Sequence, residues 1–155
     1  MESVIKSHRR IQISEQVRER LAIAISWLSM ALFLYTAYAK TVDHDRFLNG
    51  LLKVQFIRYM AVPISYAVPS IELIVAYLLL LPQTSKYGLY SFIAVMAAFT
   101  AYIASAMIWE NTLPCHCGGA IEKLSWSQHL WFNLAFIVLA IIALRLVKLN
   151  TSLKN

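Results

Sequence analysis

Two cysteines, Cys115 and Cys117, flank His116 in the run Pro114-Cys115-His116-Cys117-Gly118-Gly119, and the 155-residue chain has no others. Three chemistries suit that spacing. A disulfide between residues two apart is feasible, because their Cα atoms can lie within the roughly 4.4–6.8 Å that the bond requires. It closes a very small ring, and strained disulfides exchange readily. So short a loop removes little unfolded-state entropy, which makes stability a poor reason for the bond. Gly118 and Gly119 permit a tight turn that leaves the sulfurs accessible. Metal binding is the sharper rival, since two thiolates and His116 suit Cu(I). A closed zinc site needs four ligands, with His44 and His129 the candidates to complete it. An inert structural disulfide is the third reading. A redox-active pair leads the three.

Glu72 is the second informative residue. It is the single charge in the stretch from Tyr59 to Ser85, and an ionisable group inside an apolar span marks a functional-site hypothesis by default. One reading is a proton acceptor or donor for nearby thiol or quinone chemistry. The other is a neutral Glu hydrogen-bonded to a neighbouring helix, or a structural pair with Lys40. Pro69 lies three residues before Glu72, on the same helix face. Lys40 on its own reads as a side chain snorkelling to the interface. His129 is close in sequence to the cysteines and can serve as a general base, its unperturbed titration lying near neutrality; an ordinary interfacial histidine is the blander alternative.

The elements that must position these groups are apolar. Hydrophobic residues make up 59 % of the chain and charged residues 14 %, with a mean hydropathy of +0.60. A soluble domain has roughly 45–50 % and about 25 %, and a chain of this size cannot hide the excess. Disorder is excluded by the same hydrophobicity. No Asp, Glu, Lys or Arg occurs in the 19 residues between Arg20 and Lys40, the 23 between Lys86 and Glu110, or the 21 between Lys123 and Arg145. About 20 apolar residues cross a bilayer as a helix. These runs and the Glu72 stretch predict an all-α polytopic membrane protein: a four-transmembrane-helix bundle with helices near 21–39, 61–81, 88–109 and 129–147.

Phe47, Leu51, Leu52, Val54 and Phe56, interrupted by Arg46, Lys53 and Arg58, predict an interfacial helix after helix one. Residues 1–20 read as a cytoplasmic leader, 21–148 as the membrane domain and 149–155 as a cytoplasmic tail. Pro63 and Pro69 are each expected to remove a backbone bond and kink helix two, and Ser125-x-x-Gln128 is a capping-box pattern opening helix four. Nine Lys and Arg fall on the side of the termini and five on the other, so the termini are expected in the cytoplasm and the cysteine segment outside. Ala37-Tyr38-Ala39 resembles a signal cleavage site, but the preceding apolar run exceeds the 7–15 residues typical of a signal. The net charge of +6 is spread over membrane flanks, and no nucleic-acid motif accompanies it. The bilayer is the expected partner.

Several of these residues together resemble a known family. Pro69-x-x-Glu72-Leu73, the Lys40, Asp43 and Phe47 run, and Phe99-Thr100-x-Tyr102 are similar to DoxX-like membrane proteins. Cys115-x-Cys117-Gly118-Gly119, followed by Leu124-Ser125-Trp126 and by His129 and Asn133, resembles the MauE branch, the methylamine utilisation redox-associated proteins. The resemblance spans about residues 20–148. It implies an inner-membrane bundle active in the maturation of methylamine dehydrogenase together with a thioredoxin-like or other periplasmic thiol protein, and its redox role carries over onto Cys115 and Cys117. Many members have Gly between the cysteines and Phe-Gly after them; His116 and Gly118-Gly119 stand there in this chain.

The implied mechanism is thiol–disulfide exchange through a mixed disulfide, with Cys115 and Cys117 as the redox pair and Glu72 and His129 as candidate proton-handling residues. With one cysteine pair the chain cannot relay electrons between two disulfides, so they pass to an external thiol protein or to quinone. No motif demands a cofactor; quinone is a candidate, with Glu72 and Pro69 as borders of a pocket. The competing class is a non-enzymatic membrane adaptor or copper-handling protein with a structural or metal-holding C-x-C. A transporter is weaker, since one buried carboxyl offers little for a substrate path.

Overall fold

The computed structural model describes residues 15–109 and 125–153. All regular structure among them is helical: α1 Glu15–Val42, α2 His44–Lys53, a 3-10 turn Arg58–Met60, α3 Ala61–Leu80, α4 Ser85–Trp109 and α5 Trp126–Leu153. Four of the helices are long and apolar enough to cross a membrane. At 28 residues, α1 reaches about 42 Å at 1.5 Å per residue, beyond the hydrocarbon core, and it begins with the polar turn around Glu15, Arg18 and Glu19. The expected bundle is therefore present, with its first and last helices running past the apolar runs that announced them.

α1 packs chiefly on α3, and α4 on α5; α5 also lines α1, and α3 lines α4, which closes a four-helix ring. The α1 and α3 contact is built on small side chains. Ala22, Ser26, Ser29, Phe33 and Ala37 are buried on α1, and Ala61, Ser65, Pro69, Glu72 and Ala76 on α3. Their three- and four-residue spacing puts each set on one face, and small residues let backbones approach closely where lipid gives helices no hydrophobic drive to associate. Larger residues fill the centre: Phe33, Val75, Leu79, Leu89, Phe92 and Met96 pack with Ala140 and Ala143, and the Phe33 and Phe92 rings lie 4.5 Å apart. The perimeter is apolar and exposed, as at Ile74, Ile108 and Trp131. Tyr38, Tyr59, Tyr87 and Tyr90 are also exposed, matching an interfacial aromatic belt.

The α3–α4 connection is tight. Thr84 donates its hydroxyl to the Leu78 carbonyl at 2.9 Å, closing the end of α3, and its own carbonyl accepts from Gly88 N–H in the first turn of α4. Gly88 is there because a Cβ would stand 2.9 Å from the Leu79 backbone nitrogen and 3.0 Å from the Leu78 carbonyl carbon. At the same end Ser26 and Ser85 hydroxyls approach to 3.4 Å.

At the opposite end α2 covers the bundle. Phe47, Gly50 and Leu51 are buried along one side of it, and Phe47 and Leu51 join Ala61, Ile64, Val68 and Tyr102 in a second apolar cluster, while Asp45, Arg46, Asn49 and Lys53 are exposed. This is the amphipathic helix expected from the 40–60 pattern. α5 opens with the expected capping box: Ser125 N–H donates to Gln128 Oε1 at 2.8 Å and Gln128 N–H to Ser125 Oγ at 3.3 Å.

The kink expectation needs one correction. Pro63 is the third residue of α3, where a backbone N–H has no intrahelical acceptor, so the ring removes nothing. Only Pro69 lies in the helix interior. There it deletes the bond that would reach the Ser65 carbonyl.

Candidate functional site

α1 ends where α3 begins, so Lys40, two residues from the end of α1, can reach down to Glu72 in the middle of α3. Lys40 Nζ stands 2.6 Å from Glu72 Oε1. The Glu72 side chain is fully buried and that of Lys40 is 12 % exposed. The ammonium also faces two rings, Phe99 of α4 at 5.3 Å and Phe47 of α2 at 5.8 Å, within the range of cation–π attraction. One cation thus ties α1 to α3 and touches α4 and the covering helix.

The snorkelling expectation for Lys40 fails for an electrostatic reason. A carboxylate in hydrocarbon without a partner is far costlier than an ammonium drawn inward along a flexible stem. Of the two structural alternatives for Glu72, the geometry selects the pair with Lys40. Its second oxygen is different: Oε2 is buried with no hydrogen-bond partner among the described residues. The Thr36 hydroxyl, which donates to the Phe33 carbonyl at 3.2 Å, also faces the Glu72 carboxyl. Lys40, with three donors, has Glu72 as its single hydrogen-bond acceptor among the described residues. Unfilled acceptor and unfilled donor stand side by side.

A second polar group lies close to α2. His44 Nε2 is 3.5 Å from the Ser65 hydroxyl, and its ring stacks on Tyr66 with centroids 4.5 Å apart. Ser65 is fully buried and also donates to the Val62 carbonyl at 2.7 Å. The sequence marked His44 only as a spare metal ligand; the Ser65 contact, 21 residues away, had no local signal.

His129 is half-buried in the first turn of α5, its N–H bonded to the Ser125 carbonyl at 3.0 Å. Asn133, one turn further, is buried. Cys115, His116 and Cys117 lie outside the described residues, so the reading of the C-x-C stands on the sequence. The described chain stops at Trp109 and resumes at Ser125, at the end of the bundle that carries α2.

Antiparallel apolar helices closed around a buried lysine–glutamate pair define a multi-pass helical-bundle membrane protein. The sequence matches the family described as Methylamine utilisation protein MauE over residues 18–146. The chain belongs to that family, and the match takes in the ion pair, the covering helix and the cysteine segment. Comparison with curated proteins and with solved structures finds no match.

Proposed function

We propose that this chain is a thiol–disulfide redox protein of the bacterial cytoplasmic membrane, with Cys115 and Cys117 as its exchanging pair. The observation that carries the reading is membership of the MauE family over a region that contains the only two cysteines, spaced C-x-C. The proposed topology puts both termini in the cytoplasm and the cysteine segment on the periplasmic side, on the strength of nine basic residues against five.

In the oxidising direction, a thiolate of a periplasmic partner attacks the Cys115–Cys117 disulfide and forms a mixed disulfide, releasing one cysteine as thiolate. The partner's second thiol then attacks the mixed disulfide. The partner leaves with a disulfide, and Cys115 and Cys117 hold the two electrons and two protons it gave up. The same steps run in reverse to reduce a partner. His129 is the proposed base for the thiol proton, and Glu72 the proposed membrane-embedded proton-handling group. The partner class is a thioredoxin-like or other periplasmic thiol protein. The end product is a matured periplasmic protein, methylamine dehydrogenase in the context that names the family.

Thiol trapping with a mass-tagging reagent, in membranes poised across a range of redox potentials, tests this directly. Interconversion of the pair between dithiol and disulfide at a mild potential is the expected result. A pair locked as disulfide at all potentials, or one held reduced with bound copper, overturns the proposal in favour of an adaptor or metal-handling role.

A further inference from the structure

At the start of α2 a histidine and a serine fix one another's protons. Ser65 is fully buried, and its single hydroxyl proton goes to the Val62 carbonyl at 2.7 Å. Toward His44 Nε2, 3.5 Å away, the same oxygen has only a lone pair to offer. The neutral ring therefore carries its proton on Nε2, and Nδ1 keeps the basic lone pair. At 3.5 Å the bond is long, and the ring owes the rest of its placement to the Tyr66 stack, with centroids 4.5 Å apart. His44 is half-buried, and its Nδ1 has no hydrogen-bond partner among the described residues. The charged groups on its own stretch of chain are Asp43, Asp45 and Arg46, all exposed, and Lys40, committed to Glu72. From α3 it meets the Tyr66 phenol and the Ser65 hydroxyl.

We propose that His44 is a second proton acceptor for the Cys115 and Cys117 pair, with Ser65 as its positioning residue. Its task exists only within the exchange reaction proposed above. A dithiol that closes to a disulfide releases two protons, and His129 as a single imidazole holds one at a time. His44 stands at the end of the bundle where the described chain leaves α4 at Trp109 and enters α5 at Ser125. Cys115 is six residues from Trp109. Extended, that length reaches about 20 Å, on the order of two helix–helix spacings. In the direction that reduces a partner, Nδ1 takes the proton of one thiol, the thiolate attacks the partner disulfide, and the partner's S–S bond breaks. The imidazolium returns that proton to the departing partner sulfur. The second cysteine, deprotonated by His129, attacks the mixed disulfide, and the second partner sulfur leaves and collects that proton. Two electrons and two protons have then moved from the pair to the partner, and both histidines end neutral. The transient cation suits its place, since Nε2–H still faces Ser65 Oγ and the ring lies against Tyr66.

The test uses the full chain, reduced, in lipid nanodiscs, with oxidised glutathione as the disulfide probe. The rate constant of exchange is followed across neutral and alkaline pH on the wild type, His44→Asn and Ser65→Ala. His44→Asn is expected to slow exchange about 10- to 100-fold near pH 7 and to match the wild type above about pH 9, where thiols ionise without a base. That convergence also shows the variant to be folded. Ser65→Ala keeps the ring but frees its tautomer, and is expected to slow exchange by a smaller factor near neutrality. Nitrogen-15 NMR of the histidine rings reads the tautomer separately, in Cys115→Ser/Cys117→Ser, which cannot exchange. The Nε2–H form is expected, giving way to a mixture when Ser65→Ala is added. Unchanged exchange in His44→Asn near pH 7, a loss equal at every pH, or an Nδ1–H tautomer overturns the proposal. Failure of the exchange reading removes the reaction assigned to His44 and looks different: the wild type does not react with the probe at any pH, while the ring still reads as Nε2–H.

Discussion

Breaking the Lys40–Glu72 pair from either side should have unequal consequences. At 2.6 Å and an effective dielectric constant near 20, the Coulomb attraction is about 6 kcal/mol before desolvation is subtracted. Lys40→Met leaves the fully buried Glu72 with no counter-charge, and removal of one member of a buried pair destabilises by about 3–5 kcal/mol. Glu72→Gln leaves Lys40 without its partner, but that side chain starts two residues from the end of α1 and is already 12 % exposed. It can swing outward to the interface, so the expected loss is smaller, about 1–3 kcal/mol. The double variant Lys40→Met/Glu72→Gln should be less destabilised than Lys40→Met alone, giving a coupling energy of about 2 kcal/mol or more. Reversible unfolding in mixed micelles, followed by circular dichroism against the mole fraction of SDS, measures all four corners of the cycle. Equal single-variant losses, or a double loss equal to their sum, would refute the claim that the pair acts as a unit.

Four other outcomes follow from the geometry. Gly88→Ala should destabilise by about 1–3 kcal/mol, because the new methyl meets α3 backbone at 2.9 Å; the same unfolding assay reads it. Phe33→Ala, at the centre of the four-helix contact, should cost about 3–5 kcal/mol. Ser125→Ala removes the capping hydroxyl that accepts from Gln128 N–H and should cost about 1 kcal/mol, with faster amide exchange confined to the first turn of α5. Cys115→Ser should abolish disulfide exchange with a partner while membrane abundance stays within about twofold of wild type, since a three-residue ring adds little stability; immunoblotting of membranes beside thiol trapping separates the two effects.

The four spans and the covering helix were legible because they are written in local pattern. Runs without charge mark the spans, and Phe47, Leu51 and the basic residues between them mark the amphipathic helix. Ser125 and Gln128 announced their cap for the same reason, the interaction closing within one turn. Lys40 was not legible as a partner: its bond to Glu72 joins positions 32 apart, and a lysine at a helix end looks the same in sequence whether it turns inward or outward. The buried carboxylate decides the matter, and only the fold brings the two together. His44 and Ser65 escaped for the same reason. Pro63 was misjudged although the start of its helix was placed correctly at Ala61: in the first turn a backbone N–H has no intrahelical acceptor to lose, so a proline there is neutral. The cysteine reading stands apart, resting on residue type and spacing with no fold-level contact behind it.

The tight junction between α3 and α4 makes the bundle a pair of tongs. Gly88 seats α4 against the backbone of α3 within angstroms of the turn, so the two helices share a pivot that can tilt but not separate. From that pivot α3 extends 20 residues, a lever of about 30 Å. A tilt of about 5° at Gly88 would displace the far end by roughly 2.6 Å, comparable to the length of the Lys40–Glu72 bond. Motion imposed on the α2 end would therefore be largest at the start of α3, about 1 Å at Glu72 in the middle of the helix, and nearly nil at Thr84. What resists the swing is the buried salt bridge, which ties α3 to α1 rather than to α4.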